Sequence, residues 1–208
     1  LSEASSDDEL HAAARLRTRT FHHFKEGMFG IDDHKRYLSE HEFEALKERV
    51  TGKKRIGFVR VSCIIATLPT SMVVNISADL SASCSFTQNG DDNHRVAVGT
   101  LDLNQCFALP GEIVGMNPKG ADPDHHRAYI SNVCVAKEFH RNGLGYELIT
   151  MSKKVAQQWG ISDLYVHAAV DNEPAKKLYA KCGFTFESDE PAWQARFLGR
   201  PRRVLLWT

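Results

Sequence analysis

The chain has 208 residues, 42% of them hydrophobic and 25% charged, with 26 basic side chains balancing 26 acidic ones. A chain of this length buries one good core and demands no second, and its charge balance argues against a general nucleic-acid binder. No apolar run approaches the ~20 residues of a membrane-spanning helix, Val59 to Leu68 being the longest candidate and too short.

Leu1 to Leu10 is polar and acidic and reads as a flexible tail, leaving residues 11–208 for the folded domain. The chain begins at Leu and shows no positive, apolar leader, so any targeting peptide is expected to have been removed. His11 to Thr20 alternates Arg15, Arg17 and Arg19 as a strand does, while its alanines equally allow a helix. From Phe21 to Arg60, apolar residues such as Phe24, Tyr37, Phe43, Leu46 and Val50 are spaced among charges as on helices. The helices break near Gly30 to Asp33, where Asp32 or Asp33 is available as a cap.

Val61 to Leu68 is β-branched and apolar, a buried strand ended by Pro69; Met72 to Ile76 is a weaker strand candidate. Ser77 to His94 is a polar insertion turning at Asn89-Gly90, either a mobile hairpin tip or a substrate loop. Arg95 to Leu103 alternates as a strand, Gly111 to Met116 is ambiguous, and Asn117 to His126 is loop-like through its Pro and Gly. Arg127 to Val135, RAYISNVCV, has the composition of a half-buried strand. Leu144, Leu148, Met151, Val155 and Trp159 then recur at helical spacing, predicting a helix from about Gly143 to Gly160. A strand from Leu164, a short helix carrying Ala175, Leu178 and Tyr179, a strand at Phe184 to Glu187, a helix at Ala192 to Leu198 and a strand at Arg203 to Trp207 complete the chain. Strands outnumber helices, which predicts a single α/β domain around a mixed, mostly antiparallel sheet.

The five cysteines lack CxxC spacing and read as free thiols of a reducing compartment. Cys134 is expected to be a buried strand residue, since no paired histidine is placed beside it. The pairs His22-His23 and His125-His126 have no further ligands at zinc spacing, so no metal is expected.

Between strand and helix stands His140 to Gly145, HRNGLG. Two glycines one residue apart let backbone approach a ligand without a Cβ in the way, while unpaired N–H groups and the positive helix end face outward together. Such a nest binds phosphate oxygens. Taken alone, GxG after a strand is equally a structural turn, and neither standard nucleotide fingerprint is met.

The turn is followed at unbroken spacing by Leu164 to Phe184, LYVHAAVDNEPAKKLYAKCGF. Together they resemble the GNAT superfamily of acyl-CoA N-acyltransferases, whose turn reads Q/R-x-x-G-x-G/A and whose later segment reads N-x-x-A-x-x-x-Y-x-x-x-G-F. The ordered motifs cover Arg127 to Phe186, and His140 stands where the family has its first Gln or Arg. NVCVAKEFHRNGLG and the tail PAWQARFLGRPRRVLLW are similar to plant plastid members, which acetylate protein α-amines and lysines. The resemblance implies a central parallel strand pair splayed at a bulge, helices flanking the sheet, acetyl-CoA as acyl donor and the plastid stroma as location. It implies that the first two helices lie beside the acceptor cleft. It also implies that the backbones of Val133, Cys134 and Val135 pair with the pantetheine arm, that the N–H groups of Arg141, Asn142, Gly143, Leu144, Gly145 and Tyr146 take the pyrophosphate, and that Asn172 contacts the coenzyme. Asn172 also suits a helix N-cap.

Tyr179 falls where the family places a tyrosine beside the coenzyme sulfur. A phenol of pKa near ~10 can protonate a thiolate of similar basicity, which makes Tyr179 the candidate general acid. His167 falls where relatives often carry a catalytic Glu and is the candidate base, with Tyr129 and Asp102 in reserve. The basic stretches Lys47 to Arg60 and Arg196 to Arg203 are either solvated faces or a hold on the coenzyme 3′-phosphate or an acidic substrate segment. The expected partners are protein or peptide amines and coenzyme A. The alternatives are acetylation of a small arylalkylamine such as serotonin, and a coenzyme-binding module without turnover.

Overall fold

Long β-branched strands supply the frame. In the computed structural model, which describes residues 1–24, 27, 29–53, 58–73, 77–87, 93–106, 109 and 127–208, these strands pair into one eight-stranded sheet. The strands are β1 (Ser2–Glu3), β2 (Phe58–Pro69), β3 (Ser85–Thr87), β4 (His94–Cys106), β5 (Arg127–Val135), β6 (Asp163–Ala169), β7 (Thr185–Asp189) and β8 (Arg203–Trp207). Their order is β1-β2-β4-β5-β6-β8-β7, with β3 also on β4. Every pairing is antiparallel except β5 with β6.

Helices α1 (Asp7–Phe21), α2 (Ile31–Val50), α3 (Ala78–Cys84), α4 (Leu144–Gln158), α5 (Glu173–Lys181) and α6 (Ala192–Phe197) complete the elements. The alternation of β4 separates the two main layers. Thr100 bonds Arg17 of α1, whereas a Cβ on the adjacent Gly99 would come within 2.9 Å of Leu148 on α4. Successive strand residues face opposite ways, so α1 covers one face and α4 the other. A main cluster from Ala4 to Leu206 fills the core; Cys106, Leu109, Tyr129, Tyr165 and Leu205 form a smaller cluster.

The N-terminal region differs from the expectations. Ser2 and Glu3 pair with Ile65 and Ile64 rather than fraying, and α1 begins at Asp7. A capping box joins Ser6 and Glu9, satisfying donors at the helix start. Residues 11–20 are therefore helical: Leu10, Ala13, Ala14 and Arg17 are buried at helical spacing, and the alternating arginines mislead because Arg17 belongs to the core. The cap of α2 is Gly30, in the left-handed region at φ 72°, while Asp32 and Asp33 lie in its first turn. The insertion after Ser77 is α3 and β3 as far as residue 87. Of the weaker strand candidates, residue 72 ends a 3-10 turn, while 74–76, 111–116 and the loop-like 117–126 lie outside the described residues.

Arg17 is 2% exposed, and both its terminal nitrogens bind Asp102, which is 0% exposed, at 2.6 and 3.1 Å. Glu42 and Arg49 of α2 complete the group. Breaking such a pair leaves a buried charge uncompensated. We expect Arg17→Met to lower the unfolding free energy by about 3 kcal/mol, and Arg17→Met/Asp102→Leu to recover part of that loss in urea titrations.

Candidate active site

β5 and β6 run in register from Arg127 with Asp163 to Ile130 with Val166, and no further. Both strands continue, β5 to Val135 and β6 to Ala169, so they part beyond that point. On its other side β5 carries a bulge. Thr100 pairs with Cys134 and Asp102 with Ser131, which leaves two residues, Asn132 and Val133, against Leu101 alone. Asn132 takes φ 54°, a conformation Asn tolerates better than most residues. The bulge and the parted strands give β5 backbone groups an outlet that neither neighbour fills.

A cleft of about 500 Å³ opens at this gap, lined by Val133, Val135, Leu144, Gly145, Leu178 and Tyr179 among others. At one end lies the glycine turn. Arg141 and Gly143 both have positive φ, at 66° and 83°, with Gly143 capping α4. The N–H of Glu147 makes the bond to the Gly143 carbonyl, so those of Leu144, Gly145 and Tyr146 precede the helical ladder and form the donor group of a nest. The two glycines serve different needs. Gly143 supplies the left-handed cap, whereas a Cβ on Gly145 would stand 3.0 Å from Leu178, so Gly145 lets α5 seat against α4. Gly145 also lines the cleft, so the seating of Leu178 is a second demand on that position beside the ligand approach expected of both glycines.

Val135 and His140 line the cleft, and the His140 ring folds back to lie 2.9 Å from the Val135 carbonyl. Glu138, in the short turn before it, is tied to Arg19 and Ser77. Burial pushes its carboxyl up, but those hydrogen bonds prevail and hold it at about 2. Asn172 caps α5, its side chain accepting from the Ala175 N–H at 3.1 Å. Lys177 and Lys181, one helical turn apart on α5, and Arg141 add positive charge around the cleft. Their i, i+4 spacing was the signal that would have revealed the two lysines.

Of the basic stretches named from the sequence, residues 54 and 55 lie outside the described residues, and several of the others are engaged away from the cleft. Arg200 and Arg203 engage the Glu190 carboxylate and Arg202 pairs with Asp189; Lys47 pairs with Asp7, and Arg60 stacks on Trp159. Positive charge at the cleft comes from α5 and the turn instead.

Tyr179 is 5% exposed, at ring distance from Phe184; burial first, and then the neighbouring Tyr129, pushes its phenol well above the ordinary value. His167 is the first β6 residue beyond the last parallel pair, and its Nδ1 lies 3.0 Å from the Tyr129 hydroxyl oxygen. Burial, and then Arg203, lowers its imidazole to about 4, so it is neutral at pH 7 and a weaker base than an ordinary histidine. Tyr129 is itself raised by burial. Asp102 does not qualify as a base: it is sealed in the core, its oxygens shared among Arg17, Arg49 and Asn132. Cys134 is 4% exposed and faces α1; burial pushes its thiol up to about 12, where it is no nucleophile.

A second, larger crevice of about 860 Å³ lies between α1, α2 and α3 and shares Val135 and His140 with the first. The described residues contain no group of three or more His, Cys, Asp or Glu able to hold a metal ion, and no helix long and apolar enough to cross a membrane.

Strands that part beside an anion nest, with a protonated phenol in the gap, define a domain built to hold an extended, phosphate-bearing ligand. The model of the acetyltransferase (GNAT) family matches residues 72–184. The chain is 58% identical over 207 residues to GCN5-related N-acetyltransferase 7, chloroplastic, of Arabidopsis thaliana, covering 100% of this chain and 74% of that protein. It is 29% identical over 193 residues to GCN5-related N-acetyltransferase 6, chloroplastic, of the same plant, covering 88% and 60%. Among solved structures it is similar to a spermidine N-acetyltransferase from Vibrio cholerae, with a TM-score of 0.52 at 15% identity over 100% and 94% of the two chains. It is also similar to the acetyltransferase of GNAT family from Streptococcus pneumoniae, with a TM-score of 0.50 at 16% identity over 100% and 96%. Those two likenesses speak for the fold. The chain belongs to the GNAT acetyltransferase family.

The depressed imidazole carries a stability consequence. As pH falls from ~6.5 to 4, the unfolded histidine binds a proton that the folded one refuses, so stability is lost across that window. We expect His167→Gln to lose roughly 2 kcal/mol less than the native protein between pH 7 and pH 4.5, read from urea midpoints.

Proposed function

We propose that this chain transfers acetyl from acetyl-CoA to protein amines, N-terminal α-amines first and lysine ε-amines second, by direct attack on the thioester in the plastid stroma. The observation that carries the proposal is the opening of β5 from β6 next to the Arg141 to Tyr146 nest. It accommodates a chain that hydrogen-bonds through its amides at one end and carries a pyrophosphate at the other. The plastid location rests on the names of the two Arabidopsis relatives. In this reading the domain reaches to Ser2, a boundary supported by the pairing of β1 with β2.

In this reading the β5 backbone from Val133 to Val135 holds the pantetheine arm, the nest holds the pyrophosphate, and Asn172 turns its free amide nitrogen to the coenzyme while its oxygen caps α5. Acetyl-CoA supplies the activated acyl group; the residues of the cleft orient it and manage protons. The Tyr179 hydroxyl keeps its proton at neutral pH and hydrogen-bonds the departing sulfur with it, recovering from solvent any proton the thiolate takes. The Tyr129 oxygen accepts from the incoming amine while its own proton points to His167, and the pair passes the released proton to solvent.

A base depressed to about 4 does little to deprotonate an ammonium. The acceptor must therefore arrive neutral. At pH ~8 an α-amine of pKa ~8 is half neutral, whereas lysine near ~10.4 is neutral to well under ~1%, which favours α-amines. The second crevice, bordered by α1 and α2, is the side from which the acceptor enters.

A peptide library incubated with acetyl-CoA should be acetylated mainly at α-amines by mass-spectrometric mapping. Transfer to serotonin without transfer to peptides would establish the small-amine reading instead. Tyr179→Phe should keep coenzyme A affinity within about twofold and lower kcat by roughly 10²-fold or more; unchanged turnover removes Tyr179 from the mechanism.

A further inference from the structure

The buried ion cluster stands directly behind the bulge. Arg17 binds Thr100 at 3.0 Å and Asp102 at 2.6 and 3.1 Å, the two β4 residues on either side of the register shift. The second Asp102 oxygen also accepts from the side chain of Asn132 at 2.9 Å and lies 3.3 Å from Arg49. Asn132 is the bulge residue with positive φ. Through this chain of contacts, α1 and α2 reach one left-handed backbone position in the sheet beneath them.

Stability alone is a poor reason for such a cluster. α1 and α2 already share apolar packing through Leu10, Ala13, Leu16, Phe43 and Leu46, and apolar replacements of buried ion pairs are often as stable or more so. What an ion pair adds is direction: a carboxylate fixed by two guanidiniums leaves one place for the Asn132 amide, and a fixed side chain on a positive-φ residue fixes the peptide planes next to it.

We propose that in the acetyl transfer a backbone N–H of the bulge hydrogen-bonds the acyl carbonyl, and that Asn132, held by Asp102 and through it by Arg17 and Arg49, is a positioning residue that aims this N–H. This rests on the acetyl transfer proposed above. Asn132 touches neither donor nor acceptor in this account. It sets the angle of the donor that does, so its contribution appears where negative charge develops on the carbonyl oxygen and is small for coenzyme A, which has no acyl group.

The test uses Asn132→Gly and Asn132→Ala. Glycine accepts φ 54° without strain but loses the tether, whereas alanine loses both. Expected for Asn132→Gly are a kcat lowered roughly tenfold or more, a KM for acetyl-CoA and a Kd for coenzyme A each within about twofold, and a melting temperature within a few degrees of native. Affinity for acetonyl-CoA, a thioether that keeps a carbonyl and does not turn over, should weaken by several-fold while that for coenzyme A does not. Native kcat and native acetonyl-CoA affinity in Asn132→Gly, with losses confined to Asn132→Ala, would show that backbone conformation alone sets the bulge and would overturn the proposal. So would a fall in kcat matched by an equal loss of coenzyme A affinity or of melting temperature. Failure of the native chain to acetylate any amine counts against the proposed function instead, and the acetonyl-CoA comparison still decides the role of Asn132.

Discussion

Four residue pairs of parallel ladder, and then none, decide what this molecule can hold. A parallel sheet normally extends its hydrogen bonds as far as its strands run. Here β5 and β6 continue past Ile130 and Val166 without each other, so β5 backbone groups that a sheet would consume are left to other partners, the His140 ring meeting the Val135 carbonyl. The bulge at Asn132 and Val133 bends β5 away on its β4 side, and the glycine turn places a helix start at the end of the same strand. Binding groups for an extended ligand follow from backbone geometry more than from side-chain identity.

Side chains then set the protonation states. Three groups near the gap are driven by burial toward their neutral forms: Tyr179 and Cys134 keep their protons and His167 loses its own. Desolvation disfavours charge of either sign, so the gap holds no ionised thiol or phenol that would compete in the transfer proposed above. The nearby arginines reinforce this for His167, because Arg203 stands on the neighbouring strand and its charge disfavours an imidazolium.

Charge is rationed by the same logic along the chain. Arg200, Arg202 and Arg203 close on Glu190 and Asp189, holding the segment around α6 to β8, and Arg17 and Arg49 close on Asp102 and Glu42. Lys177, Lys181 and Arg141 are left to border the cleft. A basic run in a sequence therefore says little about where positive potential lies, since acidic partners distant in sequence decide which cations are neutralised.

From sequence alone, the strands at Val61 to Leu68, Arg95 to Leu103 and Arg127 to Val135, the helix after the glycine turn and the motif ending in Cys182-Gly183-Phe184 were legible, because period-2 and period-3.6 burial leave local marks. The α/β class and the order turn, strand, Asn172, Tyr179 followed from them. Tertiary structure alone decided that Arg17 is a core residue and His11 to Thr20 a helix, that Asp102 is sealed rather than a base, that Gly145 seats Leu178, and that Asn132 is tethered at a bulge. Each of these depends on a partner dozens of residues away. Local pattern records which face a residue prefers, whereas the identity of the group waiting on that face exists only once the strands have paired.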